Sequence, residues 1–121
     1  MAAWSESIHI TNENVTGSAS VTSATNLFSI PTDGFDRISV QVTSAGSTCT
    51  ISYEVSNDNS NWELVGGYDS ADPATETVTT TTTAVMTVFR CDCRYFRARV
   101  STYGSGTVAC TFNARSIVTS P

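Results

Sequence analysis

No lysine occurs anywhere in the 121 residues, leucine occurs twice and histidine once. Leucine and lysine are the usual fillers of helices, so their scarcity removes the ordinary material of an amphipathic helix. No window places apolar residues at i, i+3, i+4 and i+7, which argues against a helical bundle. No apolar run approaches the roughly 18 residues that cross a bilayer as a helix. No charged-then-apolar leader opens the chain, so we expect neither a signal peptide nor a membrane partner.

Threonine occurs 20 times and valine 12 times. β-branched residues lose rotamer freedom in a helix but pack well on a pleated sheet. Ile38, Val40 and Val42 alternate with Ser39, Gln41 and Thr43. That period of two puts one row in the core and one in solvent. Cys49, Ile51, Tyr53 and Val55 continue an inward row after the turn at Ala45-Gly46-Ser47, and the two segments read as a hairpin. Asn57 to Asn61 is a polar turn from which Trp62 to Val65 returns. Phe96, Ala98 and Val100 alternate with Tyr95, Arg97 and Arg99, and Tyr103-Gly104-Ser105-Gly106 turns into a closing strand with Val108, Cys110 and Phe112 inward. Glu76 to Thr83, six of whose eight residues are threonine, reads as an exposed edge strand or a flexible loop.

This gives about eight or nine short strands at the spacing of a sandwich or barrel. We expect an all-β, antiparallel two-sheet β-sandwich, jelly-roll-like, with an immunoglobulin-like sandwich as the alternative. Cys49, Trp62 and Cys110 mimic the immunoglobulin order, but the tyrosine-corner spacing is missing. Residues 1–14 are expected to form an N-terminal arm or edge strand, and 15–121 a single domain.

The net charge is −5. An acidic total argues against nucleic acid as a partner. All six basic residues are arginine, and Arg90, Arg94, Arg97, Arg99 and Arg115 follow residue 89. Such a cluster could face an acidic partner. Without a leader, the four cysteines are expected as free, mostly buried thiols, with a Cys49–Cys110 disulfide as the alternative.

Candidate chemistry is thin. A Ser-His-Asp relay needs a histidine held by a third group, and only His9 is present, in a polar N-terminal stretch. Cys91-Asp92-Cys93 could aim two thiolates at one metal, but a closed zinc site needs four ligands. The carboxylate pairs Asp33/Asp36 and Asp69/Asp72 lie where aspartates usually make turns. Asn57 to Asn61 lacks the central glycine and closing glutamate of a calcium loop, although with Trp62 and Tyr53 it could make a small sugar platform. We therefore expect no catalytic residue, no metal and no cofactor.

Two stretches resemble a known group. Tyr53-Glu54-Val55-Ser56-Asn57-Asp58-Asn59-Ser60-Asn61-Trp62 resembles the strand-S-N-D-G-x-x-W hairpin of small phage and prophage virion β-sandwich proteins, with Asn59 where glycine is common. Arg94-Tyr95-Phe96-Arg97-Ala98-Arg99-Val100-Ser101-Thr102-Tyr103-Gly104-Ser105-Gly106-Thr107 resembles their R-Y-x-R-V-R-V-T-x-Y-x-S-G-T hairpin. The resemblance implies a non-enzymatic virion protein: a capsid decoration (cement) protein on the major capsid protein or another virion subunit, or a tail or fibre module that binds host-surface carbohydrate. It also implies assembly in the host cytoplasm into a homo-oligomer such as a trimer. The expected interface is the outward row Tyr95, Arg97 and Arg99, because tyrosine and arginine are enriched at interfaces. Ile8 and Ile10 in the N-terminal arm are expected to join it.

Overall fold

The computed structural model describes the backbone of residues 9–120 and the side chains of residues 14–116. Among the described residues there is no helix. The described residues form ten strands: β1 (His9–Val21), β2 (Asn26–Pro31), β3 (Arg37–Ser47), β4 (Thr50–Ser56), β5 (Glu63–Leu64), β6 (Tyr68–Asp69), β7 (Thr80–Thr81), β8 (Met86–Arg90), β9 (Tyr95–Thr102) and β10 (Ser105–Ser120). They form two antiparallel sheets. Sheet one runs β1-β10-β3-β8-β6, and sheet two runs β2-β9-β4-β5, with β7 also on β4.

The pairing is nested. β1 pairs with β10, β2 with β9, β3 with β8, and β4 with β5. This is the order of a ribbon rolled up on itself, the jelly-roll form of the sandwich.

The two sheets close on one core. Sheet one supplies Ile38, Val40, Val42, Phe89, Val108, Cys110 and Ala114, while sheet two supplies Ile51, Tyr53, Phe96, Ala98 and Val100. Phe89 sits between Tyr53 at 4.6 Å and Phe96 at 4.9 Å, ring centre to ring centre. Phe28 of β2 stacks on Phe112 of β10 at 3.9 Å, joining the sheets at their other edge. β1 keeps glycine opposite that ring: a Cβ on Gly17 would lie 2.5 Å from Phe112.

Two expected hairpins are corrected. β3 and β4 follow each other in sequence, but β3 lies between β10 and β8 while β4 lies between β9 and β5. β9 and β10 also belong to different sheets. Both turns are therefore corners that carry the chain across the sandwich. The inward rows of each pair do face one core, but from opposite sides. Alternation tells which face of a strand is buried and is silent on whether the next strand lies beside it or across from it. Backbone at positive φ makes the first corner, at Gly46 (62°) and Thr48 (53°).

The corners meet. Cys49 Sγ accepts the Gly104 N–H at 3.4 Å and lies 3.4 Å from the Ser47 carbonyl and 3.6 Å from that of Ser105. The Tyr103 hydroxyl donates to the Gly106 carbonyl at 2.6 Å. The cysteine that sequence reading placed in a strand row is thus a clip between two turns.

All four cysteines are free, with Cys49 and Cys110 buried and Cys91 and Cys93 partly buried. Burial pushes the Cys110 thiol up to about 11. Burial, then the charge of Asp36, pushes Cys91 to about 11 as well. Thiolate is the reactive form. At pH 7.5, Cys91 and Cys110 of the folded protein are expected to react with a thiol reagent at least about a hundredfold more slowly than in the urea-unfolded chain. Peptide mapping after timed alkylation checks this. Equal rates in the two states would contradict the burial described.

Candidate functional site: the outer face of sheet two

The β-strand period of two turns Tyr95, Arg97, Arg99 and Ser101 of β9 away from the core. On β4 the same period turns out Ser52, Glu54 and Ser56. The register sets Glu54 opposite Arg97, Ser52 opposite Arg99 and Ser56 opposite Tyr95. β5 adds Leu64 beside Glu54.

These outward residues are not simply solvated. Ser52, Glu54 and Ser56 are buried although they point away from the core. Arg97 Nε donates to Glu54 Oε1 at 2.7 Å. Arg99 grips the same carboxylate with Nε on Oε1 at 3.2 Å and Nη2 on Oε2 at 3.1 Å. The Trp62 ring lies under the Arg97 guanidinium, 4.1 Å from its Cζ, a cation–π contact. Burial raises the Glu54 carboxyl, but the hydrogen bonds from Arg99 and Arg97 outweigh it and hold the carboxyl below the usual glutamate range. One step away Ser52 and Ser101 bring their hydroxyls within 2.7 Å, and Arg94 lies over the Tyr95 ring at 5.6 Å. Leu64 is left 55% exposed at the edge of this lattice.

Next to it is the turn at residues 57–61. Asp58 organises it: Oδ1 accepts the N–H groups of Ser60 and Asn61 and the Ser56 hydroxyl, while Oδ2 accepts the Asn61 amide at 2.7 Å. These bonds, led by that of the Asn61 backbone, hold the Asp58 carboxyl well below its usual range. Asn59 takes φ 60° where glycine is common in the resembling hairpin, and asparagine is among the few residues that visit this region readily. Asn57 Oδ1 accepts the Arg94 N–H at 3.2 Å and so ties the turn to the start of β9. An open pocket of about 560 Å³ lies here, lined by Asn57, Asp58, Asn61, Trp62, Glu63 and Cys93 among others.

Of the residues singled out from sequence, Tyr95, Arg97 and Arg99 come together on this face. Ile8 lies outside the described residues. Ile10 lies in β1, opposite Thr119 of β10, and its side chain lies outside the description, as does that of His9. The sugar platform loses one member: Tyr53 is fully buried against Phe89, and burial pushes its phenol up to about 12, with the Thr87 hydroxyl pulling the other way. Asp69 makes a turn, its Oδ1 accepting the Ala71 N–H at 2.9 Å. Among the described residues no three histidine, cysteine, aspartate or glutamate side chains are placed to share a metal ion.

Sequence reading missed Glu54 and Leu64. Alternation alone turns Glu54 outward, but only the β4–β9 register shows that two arginines close over it. Glu54, Arg97, Arg99 and Trp62 are held in place by one another, with Leu64 exposed beside them.

No family model matches the chain, and no curated protein does. Two solved structures share its fold. The SPBc2 prophage-derived protein YomS superposes with a TM-score of 0.73 at 12% identity, over 88% of this chain and 96% of that one. The PBSX exported protein XepA superposes with a TM-score of 0.73 at 13% identity, over 87% of this chain but only 38% of XepA. The chain is an all-β sandwich with the fold of these two prophage proteins.

Proposed function

We propose that the chain is a non-enzymatic structural subunit of a phage particle, a capsid decoration protein seated on the major capsid protein or another virion subunit by the outer face of sheet two. The observation that carries this reading is the Glu54 lattice. Trp62, Arg97 and Arg99 are fixed in the free chain, so a partner that docks there spends little entropy on ordering them. Exposed Leu64 supplies an apolar contact beside arginine and tyrosine, the side chains enriched at interface centres. The shared fold with two prophage proteins supports a phage setting. Many such contacts repeated over a lattice retain a subunit through effective concentration.

Arg97 and Arg99 are poor probes of docking, because removing them strands a buried carboxylate. Leu64→Ser combined with Tyr95→Ser leaves that lattice intact. The double variant is expected to bind capsids about tenfold more weakly or worse, while its melting temperature falls by no more than a few degrees. Full retention on particles would overturn the assignment of this face.

The pocket beside Trp62 favours a second reading, a tail or fibre module that binds host-surface carbohydrate. Amide side chains next to an indole ring are the groups a sugar uses. Glycan-array binding that free sugar competes away would favour it over capsid decoration.

A further inference from the structure

The arginines crowded late in the sequence separate in the fold. Arg94, Arg97 and Arg99 lie on the sheet-two side. Arg90 and Arg115 join Arg37 in a single row across sheet one: the register sets Arg37 opposite Arg90 of β8 and opposite Arg115 of β10. Half of the basic residues of an acidic chain thus stand directly side by side. Like charges in cross-strand positions repel and cost stability.

The three are not treated alike. Arg90 lies 3.3 Å from a Glu76 carboxylate oxygen and 4.0 Å from one of Asp92. Arg37 and Arg115 instead flank a pocket of about 260 Å³, completed by Ser39, Val88 and Asn113. Among the described residues no carboxylate lines it. Arg37 spends Nη1 on the Asp36 carbonyl at 3.1 Å, which leaves most of its fork for the pocket. Asn113 turns its amide nitrogen toward Thr16 Oγ1 on β1 at 3.0 Å. Ser39, the next outward residue of β3, contributes a hydroxyl that can donate.

We propose that this pocket binds a single dianionic phosphate group, inorganic or a monoester, between Arg37 and Arg115. The charge decides the class. Two guanidinium groups match two negative charges, and a tetrahedral phosphate offers oxygens to both forks, whereas a carboxylate is filled by one. The bound anion also removes the repulsion between the two arginines. A long phosphodiester polymer fits poorly, because the chain as a whole is acidic and repels it. This site lies on the other sheet from the docking face and does not depend on it.

The test is a titration of the full chain with inorganic phosphate at pH 8, followed by amide chemical shifts, beside sodium chloride at matched ionic strength. Saturable shifts confined to residues 37–39, 88 and 113–115 are expected, with a dissociation constant on the order of 1 mM. Arg37→Gln and Arg115→Gln should each weaken binding about tenfold or more, since each removes charge-assisted hydrogen bonds. In chloride both variants should melt no lower than the parent chain, because a like-charge pair is gone. Dimethyl phosphate, a singly charged diester, should bind at least about tenfold more weakly. Shifts that chloride reproduces, or binding that survives in both variants, would overturn the site. Equal binding of dimethyl phosphate would overturn the dianion assignment.

Discussion

Gly104→Ala is expected to cost about 3 kcal/mol of stability, which for a domain of this size is a fall in melting temperature of roughly 10 °C. The reason is space. A Cβ on Gly104 would lie 1.8 Å from Thr48 Oγ1, 2.3 Å from the Ser47 carbonyl oxygen and 2.9 Å from Thr48 Cβ. The threonine hydroxyl can rotate away, but the Ser47 carbonyl is backbone and belongs to the other corner. Accommodating a methyl group there means parting the two corners and losing the Gly104 N–H to Cys49 Sγ bond. Gly106 provides the contrast. Its φ is 83°, so alanine is strained there by about 1–2 kcal/mol, yet the nearest atom to its Cβ is a comfortable 3.4 Å away. Chemical denaturation of both variants should therefore rank Gly104→Ala as the more damaging. Adding Thr48→Ala to Gly104→Ala should recover little, because the Ser47 carbonyl remains. Full recovery would show that the clash was only with the side chain.

The second large effect is expected at Glu54. Glu54→Ala should cost about 2 kcal/mol at pH 7, since it leaves two partly buried guanidinium groups without their shared acceptor. Glu54→Gln keeps the shape and one acceptor and should cost less. The acid limb separates charge from shape. The folded carboxyl titrates below its ordinary value of 4.5, so between those two values the unfolded chain holds more protons than the folded one. Stability from this group is then fully present above about pH 4.5 and is lost as pH falls through the folded value. The parent chain should lose stability more steeply than Glu54→Gln below pH 4.5, and the two curves should run parallel above it. Asp58, held low by its turn, adds an acid-labile contribution common to both proteins. Parallel curves throughout the acid range would mean that Arg97 and Arg99 do not favour the charged form of Glu54.

What was legible in the sequence was the face of each strand. Ile38, Val40 and Val42, and then Phe96, Ala98 and Val100, alternate cleanly and are buried as that period requires. The outward turn of Tyr95, Arg97 and Arg99 was legible for the same reason. Partnership between strands was not, because it depends on what the corners do. Gly46 and Gly104 look like hairpin glycines, yet one turns the backbone through positive φ and the other yields room to it. The grip on Glu54 was hidden for a related reason: residues 54 and 97 meet only through the β4–β9 register. The arginine row of sheet one needs three strands from three parts of the chain, so crowding along the sequence was a poor guide to crowding in space.

The nested pairing has a kinetic consequence. Val21 pairs with Val108, and His9 with Ser120. β10 sits between β1 and β3, so β1 has no neighbour in its sheet until the tenth strand has left the ribosome. Beyond the Arg37–Arg115 pair, β10 is bonded among the described residues to β1 alone. Contacts this distant along the chain close large loops before they return any stabilisation, and proteins built from them fold in milliseconds to seconds rather than microseconds. Through most of synthesis, then, β1 and β2 stand without their partners β10 and β9, and such unpaired strand edges are the part of the emerging chain most open to pairing with a neighbour.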